Sequence, residues 1–189
     1  MDENRSPDPL VIADRAAWRG WLDHHEHTCD GVWLLLAKKE RDSPTTLTYE
    51  EALDEALCSG WIDGQRTTYD ERSFRQRFTP RRTRSIWSQR NVVIVARLAD
   101  EGRMRERGQA EIDRAKADGR WERAYAGPAT AEPPPDLLAA LAAAPEAQAA
   151  FEQLTRSARF SALSPILTAA TERTRQRRIA ALIARLTSG

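Results

Sequence analysis

The chain has 189 residues, of which 41% are hydrophobic and 30% charged, with a formal net charge of +1. That length supports a real core in one domain, with or without a small appendage, and the composition is ordinary for a soluble globular protein. Near-neutrality excludes a global attraction to nucleic acid or anionic membrane, and Cys29 and Cys58 are too few for a disulfide framework, which points to a reducing compartment.

The N-terminus, MDENRSPDPLVIADR, is acidic and lacks the apolar core of a signal peptide. No stretch approaches the length needed to span a bilayer. A cytoplasmic location is therefore expected. Residues 1–9 read as a frayed tail. Asp14 is placed to cap a helix over 15–27, and Gly31 ends the turn that follows. Residues 32–36 are apolar at both parities, which suits a central strand covered on both faces. A polar, Pro-containing loop follows over 40–46. Thr48, with Glu51 at the third helical position, makes a capping box for a helix over 49–59 that stops at Gly60.

Two alternating runs, 62–69 and 73–79, flank Asp70-Glu71-Arg72 and predict a β-hairpin. Pairing Tyr69 with Phe74 sets Gln65, Thr67, Tyr69, Phe74, Gln76 and Phe78 on one face. Gly64, Arg66, Thr68, Arg75, Arg77 and Thr79 then share the other, with Arg66 directly opposite Arg77. Like charges so placed repel, and the fold must supply either an acidic neighbour or an anionic ligand. Ser85 is a good N-cap for a helix reaching about residue 101, with Ile86, Val93, Ile94 and Leu98 as its apolar stripe. Arg81, Arg82 and Arg84 arrive at that helix N-terminus, where amide groups already attract anions and guanidinium forks bind carboxylate or phosphate.

A further helix is expected over 107–118, ending at Gly119. Residues 125–135, YAGPATAEPPP, are Pro-rich and poor in core formers, as in a linker. Beyond them everything reads as helix. Asp136 caps LLAALAAA, Pro145 starts EAQAAFEQL, and 157–168 is helical but broken or restarted at Pro165. Thr171 caps a last helix striped by Ile179, Leu182, Ile183 and Leu186, with Arg173, Arg175, Arg177 and Arg178 in its first turns. The fold class expected is α+β: a small, largely antiparallel sheet of 32–38, 62–69 and 74–79 with packed helices, then a C-terminal helical appendage. The domains expected are a core over 10–125, a linker over 126–135 and a helical segment over 136–189.

Charge is unevenly placed. Residues 1–60 hold 6 basic and 13 acidic residues, net −7, whereas residues 61–90 hold 8 and 3, net +5. The chain has only three lysines, so arginine is its default cation. Two readings stand: the acidic N-terminal part neutralises the basic hairpin in a structural network, or the hairpin binds an anion. Asp63, between Trp61 and the arginines, would orient Arg66 or an arginine of 81–84 and stay ionised beside them.

His24, His25, His27 and Cys29 suit zinc by type, but no second ligand cluster accompanies them, and a solvated helix end with histidines near the dipole's negative pole is the preferred reading. No metal or cofactor is expected. Cys58, beside Leu57 in a helix, reads as inert core. No nucleophile elbow, phosphate-binding glycine loop or H-E-x-x-H is present. No catalytic residue is named. Arginines interleaved with Trp61, Tyr69, Phe74, Phe78 and Trp87 have the composition of a single-strand nucleic-acid platform, although Phe74 and Phe78 fall on the core face.

EALCSGWIDGQ, QRFTPRRTRSIWSQRN and ARLADEGRM resemble the core signature of the YdeI/OmpD-associated, or bacteriocin-protection, bacterial proteins. GVWLLLAKK and ERTRQRRIAALIARL are similar to that family's other blocks, so the resemblance extends from about Trp18 to Leu186. It implies an α+β domain with a C-terminal helical segment and a role in envelope stress and cationic-peptide resistance. Two departures stand out: no signal peptide accompanies the periplasmic location sometimes implied, and Ser164-Pro165 replaces an aromatic-rich helix. Lys38, Trp61, Asp63, Arg66, Arg77, Arg81, Arg82 and Trp87 fall on the family's motif positions. The leading expectation is an anionic small molecule in an Arg/Trp-lined pocket. The arginines would grip it, Trp61 and Trp87 would wall the pocket, and Asp63 would hold the arginines. The alternatives are a nucleic-acid-binding module and a pocketless interaction scaffold. The oligomeric state is left open.

Overall fold

The computed structural model describes residues 8–38, 44–127 and 130–188. Most of the expected tail, most of the 40–46 loop and two positions of the 125–135 stretch lie outside these residues. Among them the chain forms eight helices and one three-stranded antiparallel sheet, an α+β fold. Two compact units result, one of residues 1–85 and 93–118, the other of 86–92 and 119–189.

In the first unit, α1 (Arg15–His25) is capped by Asp14, whose carboxylate accepts from the Ala17 amide at 2.8 Å, and buries Trp18 and Leu22. Strand β1 (Val32–Ala37) follows, then α2 (Tyr49–Cys58), where Thr48 and Glu51 form the expected capping box. Strands β2 (Trp61–Thr68) and β3 (Ser73–Pro80) make the hairpin. The order is β1-β3-β2, so the central strand is β3 and not 32–36. The apolar run of β1 is nonetheless covered, because its outer edge receives Leu10: the Leu10 amide donates to the Trp33 carbonyl at 2.7 Å and the Leu35 amide to the Leu10 carbonyl at 3.0 Å. Leu34, Leu36 and Phe78 are completely buried. Trp18 packs on Phe78, 5.8 Å between ring centroids, and its indole N–H donates to the Ala52 carbonyl, tying α1 to sheet and α2 at once.

The hairpin register differs from the expected one. Thr68 pairs with Phe74, Arg66 with Gln76 and Asp63 with Phe78, with a shift between Asp63 and Arg66. Gly64 and Gln65 form the bulge, and the buried Gln76 amide donates to both their carbonyls, at 2.9 and 3.2 Å. A glycine inside a strand is a recognised site for such an extra residue. The consequence is that Arg66 shares the face of Phe74, Gln76 and Phe78, while Arg75 and Arg77 lie on the opposite face with Trp33 and Leu35. The expected Arg66–Arg77 repulsion does not exist.

Helix α3 (Gln89–Asp100) starts three residues later than Ser85 would place it. Ser88 is the cap, accepting from the Asn91 amide at 3.1 Å, while Ser85 closes a turn by accepting from the Arg82 amide. Its buried stripe is Asn91, Val95 and Leu98; Ile86 and Val93, expected in it, are 44% and 69% exposed. Helix α4 (Glu106–Ala117) then packs closely on the end of α2. A Cβ on Gly108 would sit 2.1 Å from the Cys58 carbonyl oxygen.

The second unit holds α5 (Pro135–Ala142), α6 (Pro145–Glu152), α7 (Arg156–Leu167) and α8 (Glu172–Thr187). Leu137, Leu141, Phe151, Leu163, Ile166, Ile179 and Leu182 form its core. Asp136 does not cap α5. Pro134 and Pro135 begin that helix, and the Asp136 carboxylate takes a two-pronged ion pair from Arg175 at 2.5 and 2.7 Å. That pair holds the Asp136 carboxyl below its ordinary range. Helix α7 continues through Pro165 without a restart, two residues before its end, and forgoes only the bond that this position would give to the Ser161 carbonyl. Thr171 caps α8 as expected, accepting from the Thr174 amide.

Gly108→Ala is expected to lower stability by roughly 3 kcal/mol in urea unfolding, since the clash is with backbone and not with a movable side chain. An unchanged midpoint would contradict this packing.

Candidate functional site

The arginines of the first unit divide into two groups. The first surrounds Glu55, a carboxylate only 2% exposed on the inner face of α2. Arg15 approaches it at 3.1 Å, Arg103 at 2.7 Å and Arg105 at 3.4 Å. Arg105 also donates to the Ser59 hydroxyl at 2.6 Å and pairs with Asp23 at 3.0 Å. Asp54 on the same helix accepts at both oxygens from one Arg97 nitrogen, at 2.8 and 2.7 Å, and Glu101 joins Arg97 to Arg103. Burial works against the Arg103 charge, but its bonds to Glu101 and Glu55 outweigh that and raise its pKa. The reciprocal bonds from Arg103 and Arg97 lower that of Glu101. Cys58, one turn beyond Glu55, is pushed up to about 11 by burial and then by the Glu55 charge, so it stays a thiol and is no nucleophile.

The second group is on the hairpin. Arg75 and Arg77 hold their guanidinium carbons 5.2 and 5.9 Å from the centroid of the Trp33 ring. Arg77 and Trp33 also line a cavity of about 390 Å³ with Asp8, Pro9, Leu10, Val11, Gly31 and Val32. Gly31, at φ 135°, lets β1 begin against Arg77: a Cβ there would lie 2.9 Å from the Phe78 carbonyl and 3.2 Å from an Arg77 nitrogen. Arg66, on the other face, lies 3.7 Å above the Phe74 ring. Among the described residues Arg66, Arg75 and Arg77 make no ion pair with a carboxylate; Arg75 bonds the Thr67 hydroxyl at 2.7 Å.

The eight expected site residues are not gathered in one place. Arg77 is at the cavity. Arg66 is across the sheet from it. Trp61 is fully buried, its indole N–H donating to the Glu26 carbonyl at 3.4 Å and its ring edge-on to Trp21. Asp63 accepts from the Tyr49 hydroxyl at 2.7 Å and has no arginine within ion-pair distance among the described residues, so tyrosine and not arginine is its partner. Lys38 reaches the hairpin tip, where its ammonium donates to the Asp70 carbonyl at 2.6 Å. Arg81 is buried, its amide bound to the Gly60 carbonyl, and Arg82 is exposed. Trp87 belongs to the other unit, buried against Trp121 at 5.0 Å. Of the aromatics proposed as a platform, Trp61, Phe74, Phe78 and Trp87 are buried and Tyr69 is exposed.

Sequence reading missed Trp33, Arg75, Glu55, Arg103 and Arg105 as functional or organising residues. Trp33 and Arg75 are visible only once register is known. Glu55 had a signal, an acid among the apolar positions of the 49–59 helix. His24 and His25 each bond a carbonyl of their own helix, at Gly20 and Trp21, both at 2.7 Å. Among the described residues no three His, Cys, Asp or Glu side chains gather to hold a metal.

Residues 10–111 match a domain of unknown function (DUF8412), and residues 130–189 match the family described as bacteriocin-protection, YdeI or OmpD-associated. The chain belongs to the DUF8412 family, whose model spans more than half of it, and its C-terminal third is similar to the YdeI/OmpD-associated family. The block ERTRQRRIAALIARL lies within the YdeI/OmpD-associated match. GVWLLLAKK, EALCSGWIDGQ, QRFTPRRTRSIWSQRN and ARLADEGRM lie instead within the DUF8412 match ahead of it. No curated protein and no solved structure matches the chain. Among the described residues no helix is long and apolar enough to cross a membrane.

Removing the Glu55 charge takes the buried carboxylate from Arg103 and Arg105, 16% and 13% exposed, and leaves them only the more exposed Glu101 and Asp23 and the edge of Asp54. Glu55→Gln is expected to cost roughly 3 kcal/mol in urea unfolding. Asp54→Asn, whose partner Arg97 is half exposed, is expected to cost less than about 1 kcal/mol. Equal effects would mean that Glu55 is not the organising charge.

Proposed function

We propose that this protein binds an anionic small molecule on the sheet face of β1 and β3, beside Trp33. The observation that carries the reading is the pair Arg75 and Arg77. Both flank one indole ring, and Arg77 and that ring line a cavity of about 390 Å³; Asp8 lines it too, but no carboxylate is in ion-pair reach of either arginine among the described residues. A guanidinium stacked on an aromatic face is held in place with its N–H edge still directed outward. Two such forks suit a carboxylate or phosphate, and Leu10, Val11 and Val32 offer an apolar wall to the rest of the ligand. Lys38, just after β1 and bonded to the hairpin tip, and Arg82, just after β3, stand as further cations. Their part is to raise the local positive potential rather than to touch the ligand.

Four of the five aromatic rings that a single-strand nucleic-acid platform would need here, Trp61, Phe74, Phe78 and Trp87, are buried, which favours the small anion over a nucleic acid. The family's description supports a role in bacterial stress or bacteriocin resistance. Two free cysteines support a cytoplasmic, reducing setting.

Thermal melts with inorganic phosphate test this. At a hundredfold excess over Kd the wild type is expected to melt roughly 5–10 °C higher. Arg77→Met keeps the aliphatic cover over Trp33, so its ligand-free stability should change by no more than about 0.5 kcal/mol while the phosphate shift disappears. Arg66→Met, on the opposite face, should retain the shift. No phosphate effect in the wild type, or equal shifts in all three proteins, would refute the site.

A further inference from the structure

Helices α7 and α8 carry a second surface, chemically unlike the first. Residues 156–188 contain seven arginines and one glutamate, a net charge of +6 in a chain whose total is +1. One of these, Arg175, is neutralised by Asp136. Between the two helices runs a groove of about 310 Å³ with an apolar floor of Ala162, Ile166 and Leu182. Ala181 is exposed in the groove wall, and Arg178 and Arg185 border it on the α8 side. Arg178 is anchored there by donating to the Pro165 carbonyl near the C-terminus of α7. Neither Arg178 nor Arg185 has a carboxylate partner among the described residues.

The spacing is informative. Arg178 and Arg185 are seven residues apart, two helical turns, or about 10.5 Å along α8. Ala181 lies between them on the same side, and its methyl group lets another backbone approach closely. An apolar groove with small residues at its centre and cations at both ends is complementary to one kind of partner: an amphipathic helix with an apolar anchor between two carboxylates a heptad apart. We propose that the α7–α8 groove is the docking site for an acidic amphipathic helix of another protein. Its glutamate or aspartate at i pairs with one arginine, that at i+7 with the other, and leucine-sized side chains between them cover Ala181 and Ile166.

The charge is what selects this occupant. A second copy of the chain would bring arginines against arginines, because α8 supplies cations at Arg173, Arg177, Arg178 and Arg185. The groove is also separate from the Trp33 cavity, since every residue that lines it belongs to the unit of residues 86–92 and 119–189.

The test is fluorescence anisotropy on the full chain. The probe is a labelled alanine-based peptide of about four turns, with two glutamates seven apart and two leucines between them. The wild type is expected to bind it and to bind the glutamine-substituted peptide at least about tenfold more weakly. The double variant Arg178→Glu/Arg185→Glu should lose the acidic peptide and gain the lysine-substituted one. Ala181→Trp should fill the groove and abolish binding with an unchanged melt. The two peptides measured on the wild type decide the matter even if a variant fails to fold. Equal affinity for acidic and glutamine peptides, or no binding, would overturn the proposal. So would a dimer that Ala181→Trp dissociates, or a preference for phosphatidylglycerol vesicles over the peptide.

Discussion

A single buried carboxylate sets the terms for the N-terminal unit. Glu55 sits on the face of α2 where the helix would otherwise bury an apolar side chain, and an isolated ionised group there would be prohibitively unstable. Three guanidinium groups from separate parts of the sequence, at Arg15, Arg103 and Arg105, answer it. Each contact fixes a piece of chain: Arg15 the start of α1, Arg103 and Arg105 the segment that leads into α4. The backbone then follows. The Arg105 amide bonds the Cys58 carbonyl at 3.1 Å, and Gly108 allows α4 to lie against the same carbonyl. Gly60, at φ 71°, turns the chain from α2 into β2 beneath them.

This arrangement decides which charges compensate which. The acids of α2 are matched by arginines from α1, α3 and the following loop. The cations of the hairpin are therefore left to find other company, and they find aromatic rings. Arg66 covers Phe74 on the core-facing side, and Arg75 and Arg77 flank Trp33 on the other. Lysine could not do this as well, since an ammonium is strongly hydrated and has no planar face to stack. The near absence of lysine from the chain acquires a physical sense here: guanidinium serves both as a fork for buried carboxylate and as a plate on indole.

The sequence made the elements legible where a local chemical rule operates. Asp14, Thr48 with Glu51, and Thr171 each cap the helix that their position announces. The α+β class, the three strands and the apolar stripe of α8 were likewise readable from periodicity. Errors arose where the outcome depends on contacts distant in sequence. The register slipped because Gly64 and Gln65 bulge, and what stabilises the bulge is the Gln76 side chain from the neighbouring strand. Ser85 and Ser88 are equally good caps by type, and only the turn closed by Arg82 assigns them. The charge imbalance between residues 1–60 and 61–90 was real, but of the two readings it allowed, mutual neutralisation does not apply to Arg66, Arg75 and Arg77, because Arg15, Arg97, Arg103 and Arg105 reach the acids of α2 instead.

The central claim is that two populations of arginine coexist, one locked on Glu55 and Asp54, the other stacked on Trp33 and open to an anion. The most direct measurement is a phosphate titration followed by the guanidinium Nε–H resonances of the intact protein, assigned by single substitutions. The account predicts progressive, saturable shifts for Arg75 and Arg77, with the signals of Arg103 and Arg105 unmoved. Shifts at Arg103 and Arg105, or none at Arg75 and Arg77 at any phosphate concentration, would contradict it.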